Sequence, residues 1–360
     1  MDPLHIPPMP GVVCQDIATA RLTTRVRRLE KAPEDAPRVL LVHGNLSSSV
    51  FWEELILALG PAVNAVAMDL RGYGDTRRAP LDATRGLRDF TDDLAALVDA
   101  LGWSQGPIHL VGWSVGGGVV MQYALDHIQQ VASLVLICPM SPYGFGATKG
   151  LHGAPCHDDF AGSGGGLANP ELLARLKARD TSADDPSSPR SVMGAFYFHP
   201  PFRPAREEAF LASILSAHLS DQNYPGDSTP SAHWPFVAPG TTGINNALSP
   251  KYCNVSAFGD LPDGPPVLWV RGADDQIVSD ASLFDPGTLG SLGLLPGWPG
   301  KEVFPSQPMI GQTRRILDTY QTSGGTYREV VFEKCGHSPH IEHPQAFVDE
   351  VRTFWNLPTA

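Results

Sequence analysis

A serine set in a glycine turn and a histidine set in a late loop stand far apart in this 360-residue chain, and together they could activate a hydroxyl. The serine lies in Gly112-Trp113-Ser114-Val115-Gly116, between the apolar run Ile108 to Val111 and a stretch that reads as helix. Gly-x-Ser-x-Gly between strand and helix is a nucleophile elbow. The turn is so tight that glycine must flank it, and it thrusts the serine oxygen out at the top of a sheet with a helix N-terminus behind. Serine is a poor nucleophile at neutral pH, so it needs a base, and the base needs an acid to fix its tautomer. After such an elbow the partners follow in chain order, acid and then histidine. His337 is the expected base, in CGHSPHIEHP (335–344), just past a strand read at 328–332. His340 and His343 fall where the next helix begins and are expected to face solvent or cap it. The acid belongs at a strand end. After the strand at 267–270 comes RGADDQIV, with Asp274 and Asp275 side by side and pointing in different directions, so only one can serve. Residue type leaves that choice open. The end of the 132–137 strand offers Cys138, Pro139 and Met140 but no carboxylate.

The elements that must position these groups alternate. Apolar runs at 39–42, 64–68, 108–111 and 132–137 read as buried strands, separated by helices near 50–59, from Leu87 to Leu101, and after the elbow to about Asp126. In the second of these, Leu87, Phe90, Leu94, Leu97, Val98 and Leu101 recur at helical spacing. Strands alternating with helices mean a mostly parallel sheet covered on both faces. Residues 1–20 read as a loosely structured arm and 21–29 as an edge strand. The rhythm breaks at Pro139, where Gly, Pro and Ser accumulate, with helices read from Asn169-Pro170-Glu171 and over 204–219. It resumes with the strand at 267–270, a Gly/Pro-rich insertion over 280–308, a helix at 310–321, the strand at 328–332 and a helix at 344–355. The layout is one α/β domain in two parts, 1–138 and 265–360, split by an inserted cap over 139–264.

Bulk properties narrow the partners. A net charge of −12 argues against nucleic acid and anionic membrane surfaces. No run approaches the roughly 18 apolar residues of a membrane span. The N-terminal MDPLHIPPMPGVV has no basic stretch followed by an apolar one, so no secretory signal is expected. Five cysteines without a CxxC pair fit a reducing compartment, and a cytoplasmic location is expected.

HGN, DLRGYGD, GWSVGG, GADDQIV and GHSPHIEHPQAF resemble the successive signature blocks of the α/β-hydrolase superfamily. Within it, the resemblance is to serine-nucleophile esterases, lactonases, cofactor-free haloperoxidases and carbon–carbon bond hydrolases. It covers about 35–140 and 265–357, not the cap. The resemblance implies that the acid is the aspartate directly before x-Ile-Val, which selects Asp275. It also implies an oxyanion hole from the backbone N–H groups of Asn45 and Val115. Epoxide hydrolases and haloalkane dehalogenases of the superfamily carry an aspartate where this chain has Ser114.

The expected reaction is hydrolysis of a carboxylic ester or lactone of a bulky, mostly apolar small molecule through an acyl-enzyme on Ser114, with no metal or organic cofactor. Other chemistry on the same triad (carbon–carbon hydrolysis, perhydrolysis, acyl transfer) and a non-catalytic small-molecule receptor are the alternatives. Trp113 in the elbow, and Met140, Phe198 and Trp234 in the cap, are the candidate pocket residues. The cap's length would equally serve a homo-oligomer. His43 is expected to pack in its turn, and Asp69, Arg71 and Asp75 to hold theirs by side-chain hydrogen bonds. Glu342 is expected to cap the last helix. His152, Cys156, His157, Asp158 and Asp159 carry ligand-type side chains but match no defined zinc spacing, so a polar loop is expected there.

Overall fold

The apolar runs become neighbours in one eight-stranded sheet. In the computed structural model, which describes residues 7–358, the strands are β1 (Val12–Ala18), β2 (Thr23–Leu29), β3 (Arg38–Val42), β4 (Asn64–Met68), β5 (Ile108–Trp113), β6 (Val131–Ile137), β7 (Val267–Gly272) and β8 (Tyr327–Phe332). Their order is β1-β2-β4-β3-β5-β6-β7-β8. The pairings of β1 with β2 and of β2 with β4 are antiparallel, and those from β4 to β8 are parallel. Central strands such as β4 are buried throughout, as parallel strands covered on both faces must be.

Helices α1 (Glu53–Leu59), α2 (Arg88–Ala100) and α3 (Val115–Asp126) connect the first strands. In α2, Phe90, Leu94, Leu97 and Val98 form the buried face that the spacing predicts. The arm expected over 1–20 is instead a strand in part, since β1 pairs with β2 along its whole length, while residues 1–6 lie outside the described residues. The sequence hides it because an edge strand buries only part of one face; Gln15 and Asp16 are exposed. β2 is therefore an inner strand.

Residues 139–264 leave the sheet after β6 and return at β7. They carry α4 (Pro170–Lys177), whose N-cap Asn169 accepts from Glu171 N–H at 2.9 Å, and α5 (Glu207–Leu215). α5 is shorter than the helix expected over 204–219: Ser216 ends it and the His218 N–H is drawn to the Gly72 carbonyl at 2.9 Å. α5 docks beside the loop that precedes α1. Phe210 stacks on Phe51 at 4.3 Å, Arg206 pairs with buried Glu53 at 2.7 Å, and the Ser213 and Ser48 hydroxyls lie 2.6 Å apart.

The insertion after β7 contains a short helix, α6 (Pro286–Ser291), capped by buried Asp285, whose Oδ2 accepts from Thr288 N–H at 3.1 Å and Gln307 N–H at 3.2 Å. Then come α7 (Met309–Thr322), β8 and α8 (Pro344–Phe354). Among the described residues no helix is long and apolar enough to cross a membrane.

Candidate active site

Ser114 stands at the junction of β5 and α3 with φ 57° and ψ −117°, a conformation that costs a non-glycine residue about 1 kcal/mol or more and persists only where neighbours impose it. They do so on both sides. Ser114 N–H donates to the Ile137 carbonyl at 2.9 Å, and its own carbonyl accepts from Met140 N–H at 3.0 Å. At Gly116 a Cβ would lie 2.1 Å from the Val42 carbonyl oxygen, so no side chain fits there. The glycine requirement follows from this close crossing of α3 over β3.

Past the end of β7, the chain turns at Asp275, whose Oδ1 accepts from Ile277 N–H at 2.8 Å and Val278 N–H at 3.0 Å. The other oxygen faces His337 Nδ1 at 2.8 Å, and both side chains are buried. A carboxylate can only accept, so Nδ1 carries the proton and Nε2 is left as a base. Asp274 points elsewhere; its carboxylate is 44% exposed and lies 3.7 Å from His199 Nδ1. Of the two neighbouring aspartates, the structure brings Asp275 to the histidine.

The loop carrying His337 is braced from three directions. Trp113 Nε1–H donates to the His337 carbonyl at 2.7 Å. Glu342, expected to cap the last helix, turns inward instead. Its carboxylate accepts from Gly336 N–H at 2.9 Å, Ser338 N–H at 3.4 Å and, from the cap, His199 N–H at 2.6 Å. His340 likewise does not face solvent. It is buried between Trp52 and Trp113, at ring distances of 4.7 and 5.1 Å, and burial pushes its pKa down to about 3. His343 stacks on Phe332 at 5.4 Å.

Cys138, Asp275 and His337 are the one group of three among the described residues whose donor atoms lie close enough to hold a metal ion, within 4.8 Å of one another. Burial pushes the Cys138 thiol well up, which opposes the thiolate a metal needs, and His337 Nδ1 is already engaged by Asp275. The ligand-type residues at 152–159 are not brought together in such a group; His157 stacks on His233 at 4.3 Å.

Opposite the histidine lies the loop after β3. Buried His43 takes the Leu70 N–H on Nε2 at 2.9 Å, so its proton sits on Nδ1, 2.8 Å from the Gly44 carbonyl. Burial lowers its pKa to about 4 and keeps it neutral. Ser47 Oγ donates to the same carbonyl at 2.9 Å. The peptide is planar and trans, so fixing the Gly44 carbonyl turns the Asn45 N–H the opposite way. The loop passes directly against the elbow: a Cβ on Gly44 would lie 2.8 Å from the Ser114 Cβ. The Val115 N–H is at the first turn of α3, where helix donors have no partner within the helix.

Ser114, His337, Asn45 and Val115 all line one cavity of about 380 Å³. Trp113 and Met140 line it as well. Phe198 and Trp234 do not. Phe198 is buried below, against Phe202 and the backbone at Gly336, and Trp234 packs on Phe304 at 4.9 Å in a separate small cluster with Ala147 and Cys156. Their expected places are taken by Phe196, Tyr197 and Tyr224 from the cap, and by Leu283, Phe284 and Leu289 from the insertion after β7. Phe196–Tyr197–Phe198 are consecutive aromatics, and nothing in their order tells which of them faces the cavity. Tyr197 also donates to the Asn45 and Leu46 carbonyls, a contact no sequence pattern announces.

A family model described as "Alpha/beta hydrolase family" matches residues 39–350. The chain is 33% identical to monoacylglycerol lipase abhd6-B of Xenopus laevis over 107 residues, 30% of this chain and 32% of that one. It is 38% identical to the lipase LipV of Mycobacterium tuberculosis over 107 residues, 30% of this chain and 39% of that one. These alignments span only about a third of the curated relatives' length. Among solved structures, the esterase RhEst1 from Rhodococcus sp. ECU1013 superimposes with a TM-score of 0.57 at 19% identity, covering 95% of this chain and 98% of that one.

Proposed function

The chain belongs to the alpha/beta hydrolase family, and from that premise we propose that it cleaves a carboxylic ester or lactone of a bulky, largely apolar small molecule through an acyl-enzyme on Ser114. The observation that carries this reading is the buried Asp275–His337 pair at 2.8 Å, opening onto the cavity that Ser114 also faces. Relatives named as lipases and an esterase with the same fold support it.

His337 Nε2 takes the proton as Ser114 Oγ bonds to the carbonyl carbon. The charge that develops on the carbonyl oxygen is met by the Asn45 and Val115 N–H groups. Asp275, held by two amides, steadies the imidazolium through Nδ1–H. Collapse of the tetrahedral adduct breaks the carbon–oxygen bond, and the leaving alkoxide takes the proton from His337. Water repeats the sequence on the acyl-enzyme and frees Ser114. The apolar side of the reading rests on the cavity wall, where Leu46, Phe145, Leu167, Phe196, Leu283 and Phe284 dominate.

Hydrolysis of p-nitrophenyl esters of increasing acyl length, run beside fluorophosphonate labelling for wild type and Ser114→Ala, tests it. Turnover and labelling that both vanish in the variant are expected. An unlabelled, inactive wild type would sink the esterase reading and favour a receptor.

A further inference from the structure

We propose that the cap completes the oxyanion hole: Tyr197 and Asn245 are positioning residues that hold Asn45 so that its backbone N–H stays aimed at the substrate oxygen. This rests on the serine-hydrolase reading above and adds to it a task for the cap beyond enclosing the pocket.

Asn45 is gripped on every polar atom that can be gripped without blocking its N–H. Its carbonyl accepts from Tyr197 Oη at 3.1 Å. Its side-chain Oδ1 accepts from the Tyr73 hydroxyl, and its Nδ2 donates to Asn245 Oδ1 at 3.2 Å. Tyr73 belongs to the core, but Tyr197 and Asn245 reach back from 152 and 200 residues further along the chain.

The loop needs such a grip. Leu46 has φ 45°, the left-handed region, which costs a branched-chain residue about 1–2 kcal/mol. The carbonyls on either side of its Cα, those of Asn45 and Leu46, converge on the one Tyr197 hydroxyl, at 3.1 and 3.0 Å. Remove that hydroxyl and two carbonyls lose their shared donor in a buried place, so Leu46 can relax and carry Asn45 with it. Burial pushes the Tyr197 phenol up, so it remains a donor at any working pH. Its single proton is committed to the loop, which leaves it none to give a substrate. The ring itself is fixed independently, edge-on to Trp113 at 5.7 Å and against Phe51 at 6.1 Å, so Tyr197→Phe removes the donor and keeps the packing.

The test is steady-state kinetics on a p-nitrophenyl ester for wild type, Tyr197→Phe and Asn245→Leu, with binding of an alkyl boronic acid that forms a tetrahedral adduct on serine. Each variant is expected to lose about 10- to 100-fold in kcat with KM within about twofold, because a misplaced donor is felt in the transition state. Boronate affinity should weaken in step with kcat/KM, while the pH dependence of kcat/KM stays where it was. Melting temperatures separate this from a general loss of fold. Unchanged kcat in both variants overturns the proposal, and so does a rise in KM alone, which would mean that the two side chains contact substrate directly. A wild type that neither turns over nor labels with fluorophosphonate fails the hydrolase reading and this inference together. An active wild type with indifferent variants fails this inference only.

Discussion

Two loops face each other across Ser114, and they are secured differently. The acid–base side hangs on strand ends. Asp275 follows β7, His337 follows β8, and the bonds that orient them come from neighbouring backbone, from Trp113 on β5 and from Glu342 a few residues on. The oxyanion side starts from a strand too, but its last residues are shaped by contacts that cross to the cap at Tyr197 and Asn245. The cap thus touches both sides, but it reaches the loop of the base through Glu342, by the His199 N–H, whereas on the oxyanion side it bonds Asn45 itself.

Substitutions can set the two sides against each other. The largest loss is expected for Ser114→Ala or His337→Ala, about 10⁶-fold in kcat, with the double variant no worse than either alone, as in other triads. Adding Tyr197→Phe to His337→Ala should lower the residual rate further, because the oxyanion donors act without the histidine. If it does not, the two sides are not separable. Asp275→Asn is expected to cost about 10⁴-fold in kcat through the wrong histidine tautomer. Asp274→Asn, next to it but part-exposed and in a loose pair, should cost less than about fivefold. Equal effects at both positions would remove the assignment of Asp275.

On the other side, Gly44→Ala must push the oxyanion loop away from Ser114, and about 100-fold in kcat is expected for a displacement of that size. Glu342→Gln exchanges an acceptor-only group for one with an N–H₂ facing backbone N–H donors. A drop of about 1–3 kcal/mol in unfolding free energy by urea titration is expected, with a smaller kinetic effect. The smallest effect is one of slope. His43 and His340 have pKa values lowered to about 4 and about 3, so each is neutral when folded and protonates more readily when unfolded. Their contribution is complete above the ordinary histidine pKa of about 6.5 and is lost as pH falls toward those values, about 1.4 kcal/mol per pH unit for each group. Asp285, raised to about 6 by burial, works in the opposite direction below that pH. Urea midpoints between pH 7 and 5 should therefore fall less steeply in His340→Phe than in wild type.

Much of the acid–base side is legible in residue types and their spacing. Ser114 is announced by glycines that a tight crossing demands, and His337 and the Asp274–Asp275 pair by their place after apolar runs, since a parallel sheet gathers strand ends at one edge. Residue type leaves the choice within the pair open; the resemblance selects Asp275, and in the structure it is Asp275 whose Oδ2 faces His337 Nδ1 at 2.8 Å. The cap is the least legible part of the sequence. Its helices are short and much of it is turn, with no period over which an apolar face could repeat. Phe198 and Trp234 are apolar enough for a pocket wall, yet each found a different burial site, and Phe196, Tyr197 and Phe284 line the cavity instead. The strand β1 is hidden for a related reason: one partly buried face on an edge strand leaves little pattern.

The Trp113 hydrogen bond has a thermal consequence. The indole belongs to the residue before the nucleophile and holds the carbonyl of the base at 2.7 Å, so Ser114 and His337 ride on one rigid piece of the sheet. Warming that parts Tyr197 and Asn245 from Asn45 would not by itself touch this bond, because parts of a fold can open one at a time. Such a molecule would lose its charge-stabilising amide while its nucleophile and base still sat in register. Heated gently, it would turn over slowly, its near-ultraviolet dichroism would shift as Tyr197 left Trp113, and cooling would restore both as the contact re-formed.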